Sequence, residues 1–163
     1  MIGALTRTVV FALLALPLAG TRVRTRLRVP RRLLRVPVSA ERVSWWRCGV
    51  HSVLAAGVGL VSWFLVLLAI MVLIRGLAYP LLVGDGYENA WGGPTLVGAW
   101  LVHALLGLLL APAFIGLVAL LGRLQLRLTR RVLGRAEGWW PVPIAVVFTA
   151  VGVLFCIAWT RQL

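Results

Sequence analysis

"VHSVLAAGVGLVSWFLVLLAIMVLI", residues 50–74, contains no charged side chain, and its only clearly polar residues are one histidine and two serines. Formed into an α-helix, a stretch of this length rises about 37 Å, which exceeds the hydrocarbon thickness of a bilayer. The stretch therefore predicts a transmembrane helix that either tilts or extends beyond the membrane.

The composition of the whole chain agrees with this reading. The protein has 163 residues, of which 61% are hydrophobic, and several uncharged runs follow one another along the sequence. Such a composition is typical of integral membrane proteins. Since each crossing with its turn uses roughly 25 to 35 residues, the chain has room for one compact helical unit and none for a soluble catalytic domain.

Two further stretches, 96–121 and 139–159, have the length and composition of membrane spans. The second of these has tryptophans at both ends, where indole rings prefer the headgroup level. The sequence thus predicts an all-α fold, a polytopic transmembrane helical bundle with three spans. Residues 48–134 contain the first two spans as a hairpin, with an outer loop at 75–95 and a stalk at 122–134.

The amino-terminal segment, residues 1–20, is hydrophobic but short, and its apolar run contains Pro17. It resembles the core of a signal peptide, yet the arginine-rich sequence that follows is poorly suited to export. Three alternatives remain open at this stage: the segment spans the membrane, re-enters it, or lies at its surface.

The distribution of arginine predicts the orientation, because short loops rich in basic residues stay on the cytoplasmic side. Residues 21–47 contain nine arginines and residues 122–138 contain five, whereas the loop 75–95 has Arg75 alone. We therefore expect a multi-pass protein of the cell inner (plasma) membrane, with 21–47 and 122–138 cytoplasmic. The loop 75–95 and the carboxyl terminus are then extracytoplasmic.

The two basic segments are predicted to contact anionic phospholipids. In the arm 21–47, arginine alternates with uncharged residues at the period of a strand until Pro30 interrupts it. By contrast, "RLQLRLTRRVL", residues 123–133, has helical spacing. The second segment is either a collar that fixes helix depth or a stalk that transmits helix movement. Nucleic acid is not expected as a partner, because no aromatic residues interleave with the alternating arginines of residues 22–28. The predicted headgroup contacts are Arg22, Arg24, Arg26, Arg28, Arg31, Arg32, Arg35, Arg123, Arg127, Arg130 and Arg131.

The sequence offers little support for catalysis. It contains no nucleophile motif, phosphate-binding loop or metal-binding spacing. On the predicted topology His51 and His103 lie near opposite membrane surfaces, as do Cys48 and Cys156, so neither pair can share a metal or a disulfide. We therefore predict a non-enzymatic protein without cofactor or metal.

The outer loop "YPLLVGDGYENAWGGPT", residues 79–95, contains two of the four acidic residues, Asp85 and Glu88. Its glycines and proline are sufficient to explain a connecting turn. The alternative is that the acid pair contacts a cation, a peptide or a neighbouring subunit. Within the next span His103 is either a functional group or a satisfied structural one. The candidate contacts for a partner or signal are Asp85, Glu88, Tyr87, Trp91 and His103.

Several features between residues 41 and 134 resemble the sensor domain found at the amino end of many actinobacterial membrane histidine kinases. They are the Trp46-Arg47 pair before the first long helix, Tyr79-Pro80 after it, a short outer loop, and a Gly/Leu/Ala-rich helix leading into arginines and Leu133-Gly134. The first hairpin of that family is shortened here, and "GRAEGWW" leads back into an apolar run instead of a kinase. The resemblance implies sensing through a separate protein.

The sequence therefore predicts a sensor-like or regulatory module that acts through a partner. The partner is another membrane protein, such as a kinase, a regulator or a larger complex, or a second copy of the chain. An accessory subunit that stabilises a larger membrane complex is the main alternative. A small transporter or channel component is the weaker one, because an ion path normally needs several polar groups within the membrane.

Overall fold

A computed structural model describes residues 2–38, 43–84, 87, 89–134, 136 and 138–161, and for residues 2, 156 and 159 it describes the backbone only. In this part of the chain all regular structure is helical. The helices are α1 (Ile2–Ala19), α2 (Val23–Leu33), α3 (Trp45–Leu77), α4 (Tyr79–Leu82), α5 (Leu96–Val132) and α6 (Pro141–Thr160). The predicted all-α class is confirmed.

Two of the helices, α3 and α5, are long and apolar enough to cross a membrane by length and composition. The third predicted span is not confirmed: among the described residues only α3 and α5 meet the length and composition of a crossing, and the described apolar stretches of α6 and α1 are Pro141–Phe155 and Gly3–Ala19. The structure thus supports a helical protein with two candidate spans that are compatible with membrane insertion.

The stalk forms no separate element, since α5 runs from the apolar part into the arginine-rich part as one helix of 37 residues. The helical spacing noted for residues 123–133 is thus confirmed as far as Val132.

The strand-like alternation in the arm is misleading, because residues 23–33 form α2. Arg24 and Arg28, four residues apart, are exposed, whereas Arg26 and Pro30, also four apart, are buried. Residues at this spacing share one helix face, so the alternation places one arginine on the inner face and the others outside.

The helices contribute to two compact units. Unit 1 comprises Met1–Trp63 and Val118–Leu163, and unit 2 comprises Phe64–Leu117. Helices α3 and α5 each supply one part of their length to both units.

Unit 1 is built from helices that approach one another at small residues. A Cβ atom added to Gly57 of α3 would collide with Thr149 of α6, and one added to Gly59 would meet the backbone of Leu16 in α1. Gly122 of α5 lies equally close to Thr8 of α1. Glycine permits this spacing because it presents only backbone to the neighbouring helix. Large, fully buried apolar side chains of unit 1 are Phe11, Val58, Val118, Leu128 and Leu133.

Unit 2 uses the same kind of contact. A Cβ on Gly76 would come within 2.6 Å of the carbonyl oxygen of His103, and one on Gly107 within 2.7 Å of the carbonyl oxygen of Val72. The indole Nε1–H of Trp100 donates to the carbonyl of Leu77 at 3.2 Å, where α3 ends. The paired glycines and this bond hold the two helix segments of unit 2 in one register.

We predict that Gly57→Ala destabilises the protein by about 1–3 kcal/mol, because an added methyl group has no space against Thr149 and the helices must separate. Denaturant or thermal unfolding in mild detergent measures the change. Gly49→Ala is the matched control, since Gly49 lies in the same helix with nothing within 4 Å of its Cβ position. Equal stability of the two variants would contradict the close packing of α3 on α6.

Candidate functional site

Carbonyl groups at the end of α1 and in the following turn accept hydrogen bonds from Arg26. Its Nη2–H donates to the carbonyl of Ala19 at 2.6 Å, and its Nε–H donates to the carbonyl of Thr21 at 2.9 Å. The last carbonyls of a helix have no partner within it, so a cationic side chain is well suited to this position. Arg26 therefore ties the start of α2 to the end of α1.

The same guanidinium also contacts α3. Its Nη1 donates to the carbonyl of Cys48 at 3.3 Å and lies 3.4 Å from Nδ1 of His51. Only 7% of the Arg26 surface is exposed. Burial holds the pKa of Arg26 below its ordinary value, and the nearby Cys48 partly offsets this decrease. A guanidinium in a protein nevertheless stays charged. The cluster thus contains a buried cation whose charge is dispersed over three carbonyls and one imidazole.

The protonation of His51 follows from its neighbours. A guanidinium can only donate, so Nδ1 of His51 must be the acceptor and its proton lies on Nε2. Nε2 is 3.1 Å from Oγ1 of Thr129, which in turn donates to the carbonyl of Gln125 at 2.8 Å. A continuous chain of hydrogen bonds therefore joins α2, α3 and α5 inside unit 1. We call Arg26, His51, Thr129 and Gln125 the polar cluster.

Gln125 is the incomplete member of the polar cluster. Its side chain is 3% exposed, and its Oε1 atom has no hydrogen-bond partner among the described residues. A buried acceptor left unpaired costs about 1–3 kcal/mol. The cluster therefore contains an acceptor, one helical turn from Thr129, that the present arrangement does not use.

The correction to the predicted headgroup contacts concerns Arg26, which is buried in the polar cluster instead of facing a lipid surface. The backbone carbonyls that it binds are brought together by the folded chain, and no sequence period reveals them. Arg131 is half-buried, and its Nη1 donates to the carbonyl of Ala136 at 2.9 Å. The remaining arginines predicted to contact headgroups are exposed: Arg22, Arg24, Arg28, Arg31, Arg32, Arg35, Arg123, Arg127 and Arg130.

The predicted contacts of the outer loop are not assembled into one site. Asp85 and Glu88 lie outside the described residues. Tyr87 is half-buried, and Trp91 is exposed. Their part in binding a partner stays a prediction.

His103 is satisfied within its own surroundings. Its Nδ1–H donates to the carbonyl of Ala99 at 2.7 Å, one turn earlier in α5, and its ring stacks on Tyr79 with 4.1 Å between the centroids. The hydrogen bond lies within α5, and the stacked ring belongs to α4. A part for His103 in contacting a partner or a signal stays a prediction.

Sequence reasoning missed the polar cluster. His51 lies 78 positions from Thr129 in the sequence, and Arg26 lies 25 positions from His51. One signal was present in α5: Gln125 and Thr129 are four residues apart and interrupt the face that also carries Leu128 and Val132. Polar residues on the buried face of a helix indicate a hydrogen-bonding partner on another element.

Comparisons with protein families, curated proteins and solved structures give no match to this chain. In the part of the chain that the structure describes, no three His, Cys, Asp or Glu side chains are placed to hold a metal ion together. The candidate site is therefore defined by the geometry of the polar cluster alone.

We predict that Arg26→Gln lowers the free energy of unfolding by about 2–3 kcal/mol, because the carbonyls of Ala19, Thr21 and Cys48 lose a charged donor. Denaturant unfolding in detergent measures the loss. Arg24→Gln removes the same charge from the exposed side of α2 and should change stability by less than about 0.5 kcal/mol. A similar effect of both substitutions would show that charge, and not the buried hydrogen bonds, is responsible.

Proposed function

We propose that the chain is a multi-pass membrane protein without catalytic activity that serves as a sensor-like or regulatory module and acts through a separate partner protein. The observation that carries the proposal is the polar cluster, in which Arg26 of α2, His51 of α3 and Thr129 of α5 are joined by hydrogen bonds. It links a short cationic helix to two long apolar ones.

The distribution of arginine and the exposed apolar surface support the placement in the membrane. α3 and α5 expose many large apolar side chains, Leu67, Met71, Leu105 and Leu109 among them. Such surfaces are expected where lipid is the solvent and would be costly in water. In the proposed orientation the arginine-rich segments 21–47 and 122–138 face the cytoplasm, the loop 75–95 lies outside, and α6 provides a third crossing.

The polar cluster suggests how a signal would reach the cytoplasmic surface. If α5 shifts or rotates, Thr129 moves relative to His51, and the bond between them must break or carry α3 and α2 along. Buried hydrogen bonds favour a few discrete arrangements, because intermediate positions leave polar groups unpaired. A change in α5 would then alter the exposed arginines of α2, the surface that a partner or the inner leaflet would meet.

If the chain is instead an accessory subunit, the polar cluster has a different role. A stabilising subunit needs only a fixed shape, and the polar cluster would then serve stability alone. Mild-detergent purification followed by mass spectrometry separates the two functions. A kinase or transcription regulator that co-purifies supports the regulatory module, and a large enzyme complex in fixed stoichiometry supports the subunit.

The proposed orientation predicts the outcome of cysteine labelling. In a background with Cys48 and Cys156 replaced by Ser, Asp85→Cys should react with a membrane-impermeant thiol reagent on intact cells, and Arg24→Cys should react only after lysis. Arg24 suits this purpose because it is exposed on α2. Labelling of position 24 but not 85 on intact cells would invert the proposed topology.

Transmission through the polar cluster predicts that Thr129→Val changes partner recovery by about fivefold, because a coupling of about 1 kcal/mol corresponds to that factor. Valine keeps the shape of threonine but removes the oxygen that meets His51. Quantitative mass spectrometry of co-purified proteins, at equal amounts of the chain in the membrane, measures the change.

Thr160→Val is the matched control, since Thr160 is exposed at the end of α6 and its hydroxyl donates to the carbonyl of Ile157 in the same helix. Unchanged recovery with Thr129→Val, at normal membrane levels, would reduce the polar cluster to a structural role.

A further inference from the structure

A groove lies where α5 ends and α6 begins, both within unit 1. It has a volume of about 440 Å³. Its lining combines two cationic side chains with an aromatic ring and small apolar groups: Arg127, Arg130, Ala136, Trp140 and Pro141. We call this the α5–α6 groove.

The walls of the groove are held in place by specific contacts. The guanidinium carbon of Arg127 lies 4.7 Å from the centre of the Trp140 ring, a cation–π arrangement. The backbone of Ala136 is fixed at both ends, because its N–H donates to the carbonyl of Arg130 at 2.9 Å and its carbonyl accepts from Arg131 Nη1 at 2.9 Å. The groove is thus preorganised on both sides.

The two arginines that line the groove have donors to spare. Among the described residues neither Arg127 nor Arg130 forms an ion pair or a side-chain hydrogen bond, whereas Arg47 and Arg131 each donate to a carbonyl. Both lining arginines are exposed. A guanidinium presents five N–H groups in a planar fork that fits phosphate oxygens, and two such forks three residues apart on one helix can meet a single phosphate.

The surroundings of the groove favour a lipid over a soluble anion. Pro141 lines the groove and begins α6, and Ile144, one turn later on the same side of that helix, is exposed. Val147 and Val151 continue this apolar surface with 60% and 55% of their area exposed. A molecule with its phosphate between the arginines would therefore have apolar surface available for its chains.

We propose that the α5–α6 groove binds the phosphate of an anionic phospholipid, with Arg127 and Arg130 on the phosphate and Trp140 beside the headgroup. The site rests on the membrane location in the proposed function, but it is independent of the polar cluster and of any partner protein. The proposal assigns a specific phosphate contact to these two arginines. The other exposed arginines would interact with the anionic leaflet only through nonspecific electrostatic attraction.

The test uses the full chain in mild detergent, titrated with phosphatidylglycerol and followed by native mass spectrometry. Arg127→Gln combined with Arg130→Gln should weaken phosphatidylglycerol binding by about tenfold or more, because charge-assisted hydrogen bonds are lost. Arg24→Gln combined with Arg28→Gln removes the same charge from exposed positions of α2 and should weaken it by less than about twofold. Phosphatidylcholine should bind weakly to all forms.

The double variant also removes the contact between Arg127 and the Trp140 ring, so a second variant separates that loss from the loss of charge. Arg130→Gln alone leaves the contact of Arg127 with that ring in place and should still weaken phosphatidylglycerol binding by about threefold or more.

Glu137→Gln, at a position outside the described residues, should leave the preference for phosphatidylglycerol unchanged. Binding of phosphatidylglycerol only after that substitution would contradict the proposal.

Equal losses in the two double variants would overturn the site, because they would show diffuse attraction. Competition by millimolar inorganic phosphate at the same arginines would overturn the lipid as the ligand. Fractionation of the same cells tests the membrane location in the proposed function separately. If the protein is in the membrane but the Arg127 and Arg130 substitutions have no larger effect than the control, only the headgroup site is rejected. If the protein is in the soluble fraction, the membrane location is rejected as well.

Discussion

The guanidinium of Arg26 is the contact on which the arrangement of unit 1 most depends. A cation away from water needs compensation, and here it is provided by carbonyl groups of Ala19, Thr21 and Cys48 and by the imidazole of His51. Those groups belong to the end of α1, the following turn and the start of α3. Because one side chain satisfies all of them, the three segments have to come together at the same place.

From Arg26 the chain of hydrogen bonds continues into α5. The direction of donation from Arg26 fixes the tautomer of His51, and this tautomer presents an N–H to Thr129. Arg47 adds a second connection nearby, donating to the carbonyl of Arg131 at 3.2 Å as α5 ends. The cationic end of the helix pair is therefore connected through several polar groups, whereas farther along unit 1 the helices meet at glycines and apolar side chains and at one hydrogen bond, from Trp63 Nε1–H of α3 to the carbonyl of Leu13 in α1 at 3.1 Å.

The parts of the fold that sequence could predict are those determined by composition over long windows. The apolar length of 50–74 and of 96–121 was enough to identify α3 and α5, and helical spacing after residue 122 was enough to extend α5. The helix α2 was not predicted, because arginine at every second position has the period of a strand, and only the folded chain distinguishes the buried Arg26 from the exposed Arg24. The polar cluster was missed because its acceptors are mostly backbone carbonyls, which every residue carries and no motif marks.

The glycine contacts of unit 2 have a mechanical consequence. Where Gly76 meets the backbone of His103 and Gly107 meets that of Val72, the helices touch through main chain, and no side chain between them can change rotamer to absorb a displacement. Such a joint is stiff to compression but has a smooth surface along the helix axis. A displacement along the helix axis would therefore slide one helix segment of unit 2 past the other at these contacts, and would not be absorbed there by a change of side-chain rotamer.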